Sequence, residues 1–196
     1  MGLLTNESPD IAVTVIRSRR RTLSVEIGKE GEILVRAPKW ATKREINAFL
    51  EKNAAWIAKH KAMAERRMER AKDLPILSET ELNHLMKLAR KRIPERVAYY
   101  APLVGVSYGR ISIRKQRTRW GSCSKEGNLN FNVLLMIAPA EVMDSVIVHE
   151  LCHRIHMNHS KEFYASIYRV FPEYDRWNKW LKTNGDLLMS RLPERK

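Results

Sequence analysis

The chain has 196 residues, 44% of them hydrophobic, which is ample for a buried core and excludes disorder as its basic state. Lys and Arg outnumber Asp and Glu by 36 to 22, and the formal charge of +14 favours anionic partners such as nucleic acid, phosphates or acidic peptides. The longest uncharged apolar run, FNVLLMIAPA, is far shorter than the about 20 residues that span a bilayer. No membrane partner is expected.

The opening MGLLTNESPD has no basic segment followed by an apolar run, and Asn6 stands where an acylation signal needs Ser or Thr. Two cysteines, Cys123 and Cys152, fit free thiols in a reducing compartment, so the expected location is cytoplasmic. Alternating IAVTVI and TLSVEI around SRRR, then EILVRAP after GKEG, predict three strands in a meander. Thr42 and Glu45 make a capping box. Ile46, Phe49, Leu50, Asn53, Trp56, Ile57, His60 and Met63 then follow one helical face, whose early part is expected to pack on the strands.

Pro75, in the run Asp73, Leu74, Pro75, marks a break between an N-terminal part, 10–75, and a second part, 76–196. Ser78 and Glu81 form a second capping box, opening a helix through Leu82, Leu85, Ala89 and Ile93 that Pro94 is expected to bend or end. RISIRKQ and LNFNVLL read as strands joined through TRWGSCSKEGN, in which Gly121 makes a turn and Trp120 packs inward. His60 and His84 read as packed or solvated rather than as ligands.

Four of the six histidines fall within VHELCHRIHMNHSKEF, residues 148–163. A helix starting near Ala140 would be apolar almost all round, and so buried, through Val142, Met143, Val146, Ile147, Val148, Leu151, Ile155 and Cys152. His149 and His153 stand at i and i+4, projecting from one face about 6 Å apart along the axis, a spacing that lets two imidazoles grip one cation. Glu150 is about 100° round from His149, off the ligand stripe yet within reach of a water on the cation. This is the HExxH pattern of zinc metallopeptidases.

His156 shares the stripe but lies about 10 Å further along a straight helix, too far for the same ion. If the chain turns, with Asn158 the residue best suited to it, His159 can return to the site; its place six residues after His153 matches the longer metzincin pattern, although that pattern has Gly where this chain has His156. Glu162 is the competing third ligand. Three protein ligands leave a catalytic opening, whereas Cys152 points away and reads as a core thiol. Zinc is the expected ion, with manganese, nickel or iron left open. The implied chemistry is hydrolysis with Glu150 as general base, and Tyr164, Tyr168, His156 or Arg119 helps the developing oxyanion.

The TRWGSCSKEGNLNFN and IVHELCHRIHMNHSKEF segments together resemble the YgjP-like family of metal-dependent hydrolases, related to SprT-type zincin proteases. The resemblance rests on Arg119, Trp120, Gly121, Ser122, Cys123, the Asn-rich strand, HELCH, and Asn158, His159 and Ser160. It implies an α+β, zincin-like metallopeptidase domain, here preceded by the small meander and helix, with zinc at His149, His153 and His159 and Glu150 catalytic. It also implies a strand bordering the cleft. Asn128, Asn130 and Asn132 share one face of NLNFNV, which either pairs with an extended peptide or is the outward face of an ordinary strand.

Three functions follow. The first is a zinc peptidase acting on peptide or protein, with Arg117, Arg119, Asn130 and Tyr164 as substrate contacts. The second is a nucleoside triphosphate hydrolase using the same ion, with Arg114, Lys115, Arg117 and Arg119 on the phosphates. The third is a nucleic-acid-binding module whose metal is structural.

Overall fold

The computed structural model of the chain describes residues 13–28, 31–72 and 74–193; MGLLTNESPD, Ile11 and Ala12 of the first expected strand, Lys29 and Glu30 of the turn, and Asp73 of the break lie outside them. The packing divides the chain into two units, Met1–Leu74 and Pro75–Lys196.

In the first unit, Ile33, Val35 and Ala37 alternate along one strand and are almost wholly buried, and this decides the strand order. The strand, β3 (Ile33–Pro38), takes the centre, with β1 (Val13–Ser18) parallel on one side and β2 (Ser24–Ile27) antiparallel on the other. The expected meander is therefore corrected: the order is β1-β3-β2. Residues 19–23 cross between the two flanking strands, a gap of about 10 Å that five extended residues span easily.

The Thr42–Glu45 capping box opens α1 (Lys43–Lys52). The single helix expected from Ile46 to Met63 is broken at Asn53, whose side-chain amide donates to the Phe49 carbonyl at 2.7 Å and competes with the helical ladder. A new helix, α2 (Ala54–Lys72), follows on a different axis of burial. Ile46 and Ile57 join the strand core, while Trp56, 43% exposed, stacks on His60 instead.

The second unit begins with α3 (Glu79–Val104), capped by the Ser78–Glu81 box. Pro94 and Pro102 lie inside it, so of the bend or end expected at Pro94 the end is corrected. A buried stripe through Leu82, Leu85, Ala89, Ile93, Val97, Ala101 and Val104 holds the helix on course, outweighing a proline cost of about 3 kcal/mol. The stretch expected to join two strands carries a third. β4 (Ile111–Arg114), β5 (Gly121–Cys123) and β6 (Leu129–Asn132) form a sheet in the order β4-β6-β5. β6 pairs parallel with β4 and antiparallel with β5.

After a 3₁₀ turn at Val133–Ile137 come α4 (Ala140–Cys152), α5 (Lys161–Val170) and α6 (Tyr174–Ser190). The core lies between α3, α4, β6 and the 3₁₀ turn. Asp144 of α4 is held by Arg96 of α3 through two hydrogen bonds, 2.8 and 2.6 Å, and by the Tyr100 hydroxyl, which donates at 3.2 Å. This satisfied network fixes α4 against α3 and so sets where its last turn points.

Candidate metal centre

Ten residues of α4, including Val142, Met143, Ile147, Val148 and Leu151, are buried, and the apolar packing carries the helix to Cys152 before the chain turns at 153–155. The turn comes earlier than the expected one at Asn158. His153 caps the helix in helical geometry, so the i, i+4 relation to His149 survives the helix end. The segment 156–160 then loops back, and Ser160 caps α5 by accepting from the Phe163 N–H.

This path brings three imidazoles together. His149 Nε2 lies 3.2 Å from His153 Nε2 and 3.2 Å from His159 Nε2, and one ring nitrogen from each residue falls within 4.8 Å of the others. Nitrogens bound to one zinc at about 2.0–2.1 Å in a tetrahedral array sit roughly 3.3 Å apart. The protonation pattern also fits a cation. The His153 Nδ1–H donates to the His156 carbonyl at 3.0 Å, which leaves its Nε2 with a lone pair facing inward. His149 is pushed down to about 3 by burial and by His153 and His159, so it too is neutral. Converging lone pairs repel unless a cation sits among them.

Three surrounding residues, to none of which the sequence reading gave a role at the metal, hold this geometry. Phe163, fully buried on α5, packs its ring 4.6–5.0 Å from all three imidazole centroids. Tyr174, the first residue of α6 and 4% exposed, stacks on His149 and has its hydroxyl 2.8 Å from His149 Nδ1. Burial pushes the pKa of that phenol well above its ordinary value, keeping it neutral. Gly121 is the third. It opens β5 rather than making a turn, and a β-carbon there would come 2.5 Å from Glu150 Oε1 and 2.7 Å from its Cγ. Only glycine lets the strand pass so close to that carboxyl. Spacing alone could not have revealed Phe163, Tyr174 or the approach of Gly121 to Glu150, since Gly121 read as a turn residue.

Glu150 is 6% exposed and burial pushes its carboxyl up to about 8. Cys152 is a core thiol, raised to about 11 by burial. His156 contributes its carbonyl, and Glu162 is exposed in the first turn of α5, its acidity set by Ser160; neither joins the cluster among the described residues. Tyr164 lies beside the site, 6.4 Å from the His159 ring, whereas the Tyr168 hydroxyl donates to Asp175.

Three expected substrate contacts are engaged elsewhere or stand apart. The Arg117 guanidinium donates to the carbonyls of Leu192 and Pro193, which ties down the end of α6. Asn130 donates to Ser122 Oγ across the sheet at 3.2 Å. Asn132 is buried and holds the 115–120 loop through the Gln116 and Arg119 carbonyls. The asparagines thus join strands to one another, and β6 is central, so it cannot accept a peptide as its neighbour. Arg119 is exposed, two residues before Gly121. Trp120 packs against Gly185 of α6.

A helix-borne pair of histidines and a third returning from a loop could hold a metal ion, with a buried carboxyl adjacent in the chain. The family model described as YgjP-like, metallopeptidase domain, matches residues 21–83 and 78–184. The chain belongs to this family, which makes it a metal-dependent hydrolase of metallopeptidase type. Among solved structures, the metallopeptidase zymogen abylysin of Pyrococcus abyssi is 20% identical, covering 46% of this chain and 92% of that one, with a TM-score of 0.42. The metallopeptidase zymogen jannalysin of Methanocaldococcus jannaschii is 22% identical, covering 48% and 97%, with a TM-score of 0.43. No curated protein matches the sequence. No helix among the described residues is long and apolar enough to cross a membrane.

Proposed function

We propose that the chain is a zinc-dependent peptidase whose catalytic part is residues 76–196, with the ion held by His149, His153 and His159 and with Glu150 as general base. The observation that carries this reading is the convergence of three ring nitrogens within 4.8 Å beside a buried carboxyl. When bound, zinc supplies a Lewis acid that acidifies water and polarises the scissile carbonyl. A cation held by the three imidazoles would also favour the carboxylate form of Glu150 over the neutral form that burial alone favours. Glu150 then accepts a proton from the attacking water as the new C–O bond forms, and delivers it to the amine nitrogen as the C–N bond breaks.

The His153–His156 and His149–Tyr174 hydrogen bonds orient the ligand rings, and Phe163 shields one side of the site from water. A peptide is the substrate that this arrangement suits. β5 has no strand partner on its outer side among the described residues, and Gly121 of that strand lies against Glu150. An extended chain added to β5 would bring its carbonyl to the carboxyl. Tyr164, beside the His159 ring, is the side chain we assign to the developing oxyanion. A nucleotide substrate is disfavoured because Arg117, one of the four cations it would need, is committed to backbone carbonyls. The free thiols of Cys123 and Cys152 accord with a cytoplasmic site of action.

The test is a paired one. His159→Ala should lose the metal, measured by elemental analysis of purified protein, and with it casein cleavage. Glu150→Gln should keep the metal and lower cleavage by about 10²-fold or more. Full cleavage by the metal-loaded Glu150→Gln protein would sink the assignment of the base.

A further inference from the structure

The sheet of the second unit has two outer edges, and only β5 lies beside Glu150. The other edge is β4. The carbonyl of Arg110, the residue before β4, accepts from the Leu129 N–H of β6 at 2.9 Å, and the parallel register turns the polar backbone of Ser112 and Arg114 the same way. The N–H and C=O groups of Ile111 and Ile113, which alternate with them, therefore face away from β6. A cavity of about 320 Å³ opens there, lined by all of β4 with Arg110 and by Arg90 and Pro94 of α3.

This edge is strongly cationic. Arg110 and Arg114 share one strand face with Ser112 between them, which separates their α-carbons by about 13 Å. Arg90 reaches the same cavity from α3. All three arginines are exposed, and none makes an ion pair among the described residues. Like charges gathered round one cavity repel each other, and an anion relieves that repulsion. An unpaired strand edge beside them needs hydrogen-bond donors as well as acceptors from its partner. A phosphodiester offers acceptors alone, which leaves the Ile111 and Ile113 carbonyls facing an anion. An extended polypeptide meets both requirements, and acidic side chains on alternate residues fall opposite the arginines.

We propose that the outer edge of β4, with Arg90, Arg110 and Arg114, binds an extended acidic polypeptide segment by taking it as an added strand. The site is separate from the metal centre, and its occupant need not be cleaved.

The experiment uses the full chain carrying Glu150→Gln, so that no probe is cut, and fluorescence anisotropy with a short labelled peptide of alternating Glu and Val. Binding is expected, and should weaken as salt rises. A Lys–Val peptide should not bind. The double variant Arg110→Glu, Arg114→Glu should bind about tenfold or more weakly. The Gln counterpart of that variant should show a smaller loss and serves if the first does not fold. Methylating alternate amides of the probe should abolish binding while leaving its charge intact. Equal binding of the methylated probe, undiminished binding by both arginine variants, or displacement of the peptide by a single-stranded oligonucleotide of higher affinity would each overturn strand addition.

Discussion

Asp144 and Glu150 lie six residues apart on the same helix and are almost equally hidden, 7% and 6% exposed. Asp144 is clamped by both arms of the Arg96 guanidinium and by a phenol, so its charge is compensated where it sits. Glu150 has the backbone of Gly121 against it, and burial is the cause that raises its carboxyl to about 8. One buried acid of α4 is thus paired with an arginine, and the other sits where burial favours its neutral form, which under the proposed function would suit it to exchange a proton. The rigid end makes the reactive end possible: a helix anchored at Asp144 can hold two ligand rings in place at its last turn.

The comparison can be broken at its structural end first. Arg96→Met leaves Asp144 buried without its partner and should cost about 2–4 kcal/mol of stability, read from denaturant unfolding. The folded fraction should still bind metal at the unchanged ligand set. If the stability is untouched, the network contributes nothing and the contrast between the two acids fails.

At the reactive end the expected loss is in affinity rather than stability. Tyr174→Phe removes the hydroxyl facing His149 Nδ1 and keeps the ring that packs on it. Zinc affinity, measured by competition with a chelator, should fall about tenfold, since partners of ligand histidines contribute on that scale. Unchanged affinity would reduce Tyr174 to packing.

The smallest effect sharpens the contrast through pH in metal-free protein. The folded value of Glu150, about 8, exceeds its ordinary 4.5, so its contribution to stability is fully present below 4.5 and is lost as pH rises through 8. His149, lowered from 6.5 to about 3, acts oppositely: its contribution is present above 6.5 and is lost as pH falls through 3. Between pH 6.5 and 8 Glu150 alone of these two changes. The melting temperature of the metal-free protein should decline across that window, and Glu150→Gln should flatten the decline. Parallel slopes for the two proteins would show that the buried carboxyl stays ionised.

Much of the site was legible because it is local. The i, i+4 histidines and the adjacent glutamate follow from helix geometry, and both capping boxes declare where α1 and α3 begin. The strand order was not legible. Hydrophobic alternation finds strands, but β3 became central because it buries one face almost completely while β1 stays exposed. Pro94 misled for the same reason: a local penalty was outweighed by a long buried stripe that becomes visible only when α3 has something to pack on. The role of the asparagines reversed too, because β5, hidden in what read as a connection, took the edge and left β6 inside the sheet.

By itself, then, the sequence determined which residue types could grip a cation and supply a base, since spacing along one helix is a property of the backbone. Tertiary structure alone decided that His159 returns to His149, that Tyr174 backs its ring, and that Gly121 lies against Glu150. Those contacts join residues 10, 25 and 29 positions apart, and no local rule of spacing fixes contacts at such separations until a common core brings the elements together.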